Sequence, residues 1–170
     1  MLPAFPVSHF RPPQRTPKQN LSIMATNNET ILITGASSGL GLAFLKHYAS
    51  LPAPTPTIIA LDARPFPLAT TTQTPTIHFH QLDITNTSSL QALASTYAST
   101  HLSLIIHCAG IRGLVPSVIA QEQESGRRIV ANAETIEAMD KDTMMKTFEV
   151  NTWGTFNLIQ AFLPNLRLAG

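Results

Sequence analysis

The chain has 170 residues, 44% of them hydrophobic and 12% charged, with a net charge of +1 from 11 basic and 10 acidic side chains. That is the length and apolar content of one ordinary domain with a buried core, which excludes wholesale disorder and argues against a two-domain protein. The balanced charge excludes the dense basic field that nucleic acid or an anionic membrane demands, and a single cysteine, Cys108, excludes an internal disulfide or a Cys-rich zinc site.

Residues 1–23 hold five of the thirteen prolines and three basic residues, with no acid. Proline at that density blocks both helix and central strand, so a disordered leader is predicted ahead of a domain over residues 24–170. It reads either as a non-functional extension, with Met24 an alternative start, or as an acid-free mitochondrial presequence whose helix the prolines oppose. No apolar run reaches the roughly 18–20 residues of a membrane span, and the expected compartment is the cytoplasm, with the mitochondrion the alternative.

From Thr30 the texture changes. Thr30–Thr34 is a β-branched apolar run that meets Gly35-Ala-Ser-Ser-Gly39-Leu-Gly41, and Leu42, Leu45 and Tyr48 then follow at helical spacing up to Pro52. Thr57–Leu61 and Thr76–Leu82 read as strands, each ending in a carboxylate, Asp62 and Asp83. In the second of them Ile77 and Phe79 alternate with His78 and His80. Thr87–Thr100 has a helical pattern, Leu102–His107 is a fourth strand, and Ser117–Gln123 and Ala133–Met139 suit short helices. Asp142–Phe162 reads as one long helix closed by Pro164, with Met145, Phe148, Thr152, Thr155, Ile159 and Phe162 on a single face. Strands alternating with helices predict a three-layer α/β/α Rossmann-like fold with a parallel sheet in the order 3-2-1-4.

A strand running through a glycine turn into a helix has a mechanical use. Gly35 permits the tight turn, Gly39 lets a diphosphate approach the backbone, and Gly41 lets the helix pack closely on the sheet. The diphosphate then meets free N–H groups at the positive end of the helix dipole. Asp62, 21 residues beyond Gly41, suits an adenosine ribose and favours NAD. Arg64 suits a 2′-phosphate and favours NADP, with Ser37 and Ser38 as further hydroxyl donors, so both cofactors stand.

Four segments, Thr34-Gly-Ala-Ser-Ser-Gly-Leu-Gly41, Leu82-Asp83-Ile84, His107-Cys-Ala-Gly110 and Val150-Asn151-Thr-Trp-Gly154, together resemble the short-chain dehydrogenase/reductase family in content and order. The resemblance covers residues 30–165 and implies an NAD(P)-dependent oxidoreductase that interconverts an alcohol and a carbonyl on a small molecule. It assigns Gly35, Ser37, Ser38, Gly39, Leu40 and Gly41 to the diphosphate, Asp83 to the adenine amino group, and Ala109 and Gly110 to a turn beside the cofactor ribose. Lys146 matches a basic position near the cofactor, and Asn151 matches a helix asparagine that helps hold the water of a proton relay. His107 and Cys108 stand where the family usually has two asparagines, and their loss removes contacts that steady the sheet in relatives.

Hydride transfer to a carbonyl needs a poised proton donor, which the family supplies with a serine and a Tyr-x-x-x-Lys pair. Tyr48 is followed four residues on by Pro52 and Tyr97 by His101, so neither makes that pair. The resemblance places the missing residues beyond Gly170, which implies a cofactor-binding part that is inactive alone, and as the alternative a catalytically incompetent nucleotide-binding fragment or truncated paralogue. Adjacent strand residues point to opposite faces, so His107 and Cys108 do not form a nucleophile–base pair, and His78 with His80 lacks a third ligand for a metal. The fourth strand and the Met145/Phe148/Phe162 face are expected to lie bare, open to a second copy or another partner.

Overall fold

A computed structural model of the chain describes residues 29–66, 76–128 and 136–168. The predicted leader over 1–23 lies outside them.

Every residue of β1 (Thr30–Thr34) is buried, because a run of β-branched and apolar side chains finds cover on both faces of a parallel sheet. Then come α1 (Gly39–Ala49), β2 (Thr57–Asp62), β3 (Ile77–Gln81), α2 (Thr87–Thr96) and β4 (Leu104–His107). All pairings are parallel and the order is β3-β2-β1-β4, as the alternation predicts. The period of two along each strand builds two cores. Leu32, Ile59 and Leu61 pack with Leu90 and Leu93 on one face, while Ile31, Ile33, Ile58 and Ala60 pack with Leu45 on the other.

Several boundaries differ from the sequence reading. The helix expected to reach Thr100 ends at Thr96, because the carbonyls of Tyr97 and Thr100 accept from Nδ2 of the buried Asn165, at 2.7 and 3.0 Å. The Leu102 N–H donates to the Asn165 carbonyl at 3.2 Å, so Leu102 is buried but precedes β4. α3 (Pro116–Ser125) has proline in its first turn and stops at Gly126, whose φ is 64°. Of the second short helix, residues 133–135 lie outside the described residues, and Ile136–Ala138 is a single 3₁₀ turn.

The largest correction concerns the long C-terminal helix. It is α4 (Lys141–Phe148), a π-helical turn at Glu149–Trp153, and α5 (Gly154–Arg167). A π turn inserts a residue and rotates everything beyond it, so one helical face does not continue through it. Met145 and Phe148 are exposed, whereas Phe162 is fully buried with Leu158 against α2. The predicted common face of Met145, Phe148 and Phe162 therefore does not exist. Pro164 does not close the helix either, which runs on to Arg167. Met144, Met145, Phe148, Trp153, Phe156 and Ile159 are the exposed apolar side chains of this region, and among the described residues β4 pairs with β1 alone.

Candidate functional site

The C-terminal ends of the strands open into a cleft of about 900 Å³ lined by Gly35, Ser38, Gly39, Leu40, Asp62, Arg64, Asp83, Ala109, Gly110 and Lys146, among others. In an open α/β sheet, ligands bind in this crevice. Ten of the side chains and backbone positions singled out in the sequence thus meet there.

The three glycines differ in what surrounds them. A Cβ on Gly35 would lie 2.8 Å from the backbone of Cys108, and one on Gly41 would lie 2.2 Å from the Gly35 carbonyl oxygen. Both positions are closed by the protein's own backbone. A Cβ on Gly39, whose φ is +52°, would meet nothing within 4 Å. It faces the cleft at the start of α1, where the first N–H groups have no intrahelical acceptor and no acid stands in the first turn. This open cradle fits the diphosphate of a dinucleotide.

Asp62 is only 7% exposed. Its Oδ2 accepts from the Ser37 N–H and its Oδ1 from the Arg64 N–H, both at 2.9 Å. Burial alone would push the carboxyl up, but the hydrogen bonds from Ser37 and Arg64, with the Arg64 charge, outweigh it and hold the pKa below the ordinary value. The Arg64 guanidinium is 68% exposed, its Nε 3.7 Å from Asp62 Oδ1 and its Nη2 bonded to the Ser38 hydroxyl. An exposed cation thus stands beside a carboxylate each of whose oxygens accepts a backbone N–H.

Asp83 forms an Asx turn, its Oδ1 accepting from the Thr85 N–H and hydroxyl at 2.9 and 2.8 Å, and remains exposed at the cleft wall. Lys146 pairs with Glu149 at 2.8 Å. That bond leads the influences that raise its pKa, to which Asp83 also adds. Asn151 sits in the π turn and grips the Ile111 backbone by both ends of its amide, at 2.8 and 2.9 Å. His107 ties the end of β1 to α5, for its two ring nitrogens meet the Thr34 and Thr155 hydroxyls at 2.8 and 2.9 Å. The sequence offered no signal for this, since Thr155 is 48 residues away. His80 bonds the Tyr97 hydroxyl at 2.8 Å. Burial pushes the Cys108 thiol above its ordinary pKa, which keeps it protonated.

A sequence profile described as short chain dehydrogenase matches residues 29–170. The chain belongs to the short-chain dehydrogenase family. It is 32% identical over 150 residues to a short chain dehydrogenase of Gibberella zeae, covering 84% of this chain and 38% of that one. It is 26% identical to human 17-beta-hydroxysteroid dehydrogenase type 1, covering 82% and 39%. Among solved structures, the NADPH-bound carbonyl reductase from chicken fatty liver superimposes with a TM-score of 0.63 at 26% identity, covering 82% of this chain and 48% of that one. A short-chain dehydrogenase from Leptospira borgpetersenii with bound NAD+ superimposes with a TM-score of 0.61 at 22% identity, covering 83% and 46%, and speaks for the fold alone. The short-chain dehydrogenase chain described here spans about two fifths of the length of the curated relatives it matches. Among the described residues no helix is long and apolar enough to cross a membrane.

Proposed function

We propose that this chain is the cofactor-binding part of an oxidoreductase that interconverts an alcohol and a carbonyl on a small molecule, and that its cofactor is NADP(H). The observation that carries the cofactor choice is the pairing at Asp62. A carboxylate that selects NAD must accept from the ribose hydroxyls, yet Asp62 is 7% exposed with a backbone N–H on each oxygen, and presents little of itself to them. The exposed group there is the Arg64 guanidinium, bonded to the Ser38 hydroxyl, a pair suited to a phosphate.

The residues divide as follows. The N–H groups at the start of α1 bind the diphosphate across Gly39, Arg64 and Ser38 hold the 2′-phosphate, Asp83 and Lys146 flank the adenine, and Ala109 and Gly110 give the ribose close backbone approach. When bound, the cofactor supplies a hydride. Two relatives support the alcohol–carbonyl reading, one being a carbonyl reductase and the other a hydroxysteroid dehydrogenase.

A second reading is nucleotide binding without hydride transfer. It is favoured by Tyr97, one of the chain's two tyrosines, which is engaged with His80 at the far end of α2. Titration of the chain with NADPH and with NADH, followed by cofactor fluorescence, separates the possibilities. Tighter binding of NADPH is expected. Equal or tighter NADH overturns the cofactor choice, and binding of neither at millimolar concentration removes the nucleotide site. Consumption of NADPH on adding carbonyl compounds favours the first reading over the second.

A further inference from the structure

Position 107 closes β4, in register with Thr34 at the end of β1. The Thr34 hydroxyl oxygen accepts the N–H groups of both Cys108 and Ala109 at 3.1 Å. A hydroxyl oxygen has two acceptor sites and one proton, so with both sites filled the proton goes to His107 Nδ1, 2.8 Å away. At the other end the Thr155 hydroxyl donates to the Asn151 carbonyl at 2.8 Å. Its proton is then committed as well, and the 2.9 Å contact with His107 Nε2 requires the ring to donate there. The partners therefore assign the neutral ring with its proton on Nε2. The bonds run in one direction, from Thr34 through His107 and Thr155 to Asn151.

Both ends of this chain of bonds hold backbone that lines the cleft. The Cys108–Gly110 turn lines the cleft and touches the glycine turn, where a Cβ on Gly35 would meet Cys108 at 2.8 Å. Asn151 holds Ile111, the next residue of the same wall. We infer that His107 is a positioning residue that works in one protonation state: neutral, it locks the Cys108–Gly110 turn to the π turn at Asn151, and a proton on Nδ1 releases that lock. The added proton would face an oxygen whose acceptor sites are both filled, so Thr34 would have to give up Cys108 or Ala109.

The elements around the ring offer it little charge. β1 and α5 present Thr34 and Thr155, neither ionisable, and the neighbouring Cys108 thiol is kept neutral by burial. The adjoining cleft carries Asp62 with Arg64, Asp83, Arg112 with Glu122, Arg128, and Lys146 with Glu149, and none of them bonds the ring, whose two nitrogens meet Thr34 and Thr155. Burial is what lowers the ring's pKa below the ordinary imidazole value. The lock is thus whole above about pH 6.5 and is lost as the pH falls through the lower folded-state value.

Nitrogen NMR of the full chain, with no nucleotide present, tests this separately from the cofactor reading. The expected result is the Nε2–H tautomer at neutral pH and one acid transition in which the Cys108 and Ala109 amide signals move with the ring. The Nδ1–H tautomer, or amides that stay still while the ring titrates, overturns the inference. In His107→Asn the side-chain carbonyl can still accept from Thr34 but does not titrate, so the acid step in the two amides should disappear. Its persistence would count against His107. The tautomer of the unaltered chain decides the matter even if this variant fails to fold.

Discussion

Asn151 and Ile111 are joined by two antiparallel hydrogen bonds, the Asn151 amide nitrogen donating to the Ile111 carbonyl at 2.9 Å and the Ile111 N–H donating to Asn151 Oδ1 at 2.8 Å. The side chain that family resemblance assigns to a proton relay is therefore occupied as a clamp between the π turn and the loop after β4. Its backbone carbonyl accepts from the Thr155 hydroxyl. Asn151→Ala should cost about 1–2 kcal/mol, the worth of two modest hydrogen bonds in an exposed setting. A lowered melting temperature with faster hydrogen exchange at the Ile111 amide is expected, and an unchanged exchange rate would contradict the clamp.

The glycine turn separates folding from binding. Gly41→Ala places a Cβ 2.2 Å from the Gly35 carbonyl oxygen, so the helix must move off the strand. Loss of most folded protein is expected in circular dichroism. Gly39→Val meets open space and pays only the left-handed backbone strain, about 1–2 kcal/mol. It should remain folded and lose NADPH binding, because its side chain fills the phosphate's place. Retained affinity in folded Gly39→Val would mean that the diphosphate lies elsewhere.

How much of this was legible in the sequence follows from the range of the forces involved. The strand order and the glycine cradle rest on local signals, apolar runs and a glycine spacing, and both are found in the structure. The π turn has no such signal, since the apolar period alone reads 141–162 as one helix. The early end of α2 and the bridge at His107 are made by Asn165 and Thr155, which come from a distant helix. Engagement of both Asp62 oxygens was equally hidden, because one donor is the backbone of Ser37, 25 residues earlier.

Arg64→Ala should separate the two cofactors. A charge-assisted contact to a phosphate is worth about 1.5–3 kcal/mol, so NADPH affinity should fall roughly tenfold or more. NADH lacks that phosphate and its affinity should hardly change. Titrations of the variant with both nucleotides check this, and a parallel fall in both would place Arg64 at another part of the cofactor.

Asp62 should make the fold sensitive to acid. Its folded-state pKa lies below the ordinary carboxylate value, so its contribution is fully present above about pH 4 and is lost as the pH falls through the lower folded value. Asp62→Asn presents an amide N–H to one of two backbone donors and leaves that donor unsatisfied, at about 1–3 kcal/mol. Urea midpoints should drop at neutral pH and lose part of their dependence below pH 4. A variant with the same acid profile would exclude Asp62 from it.

The rotation at the π turn can be tested with two phenylalanines. Phe148 and Phe162 are 14 residues apart and would lie within about 40° of each other on a continuous α-helix. With the extra residue between them, Phe148 is 57% exposed and Phe162 is fully buried beneath α2. Phe162→Ala should cost about 3–5 kcal/mol through the cavity it leaves. Phe148→Ala should stay within about 0.5 kcal/mol, as surface changes do. Equal costs in denaturant unfolding would restore the single continuous face, because only a common environment would make the two rings equivalent.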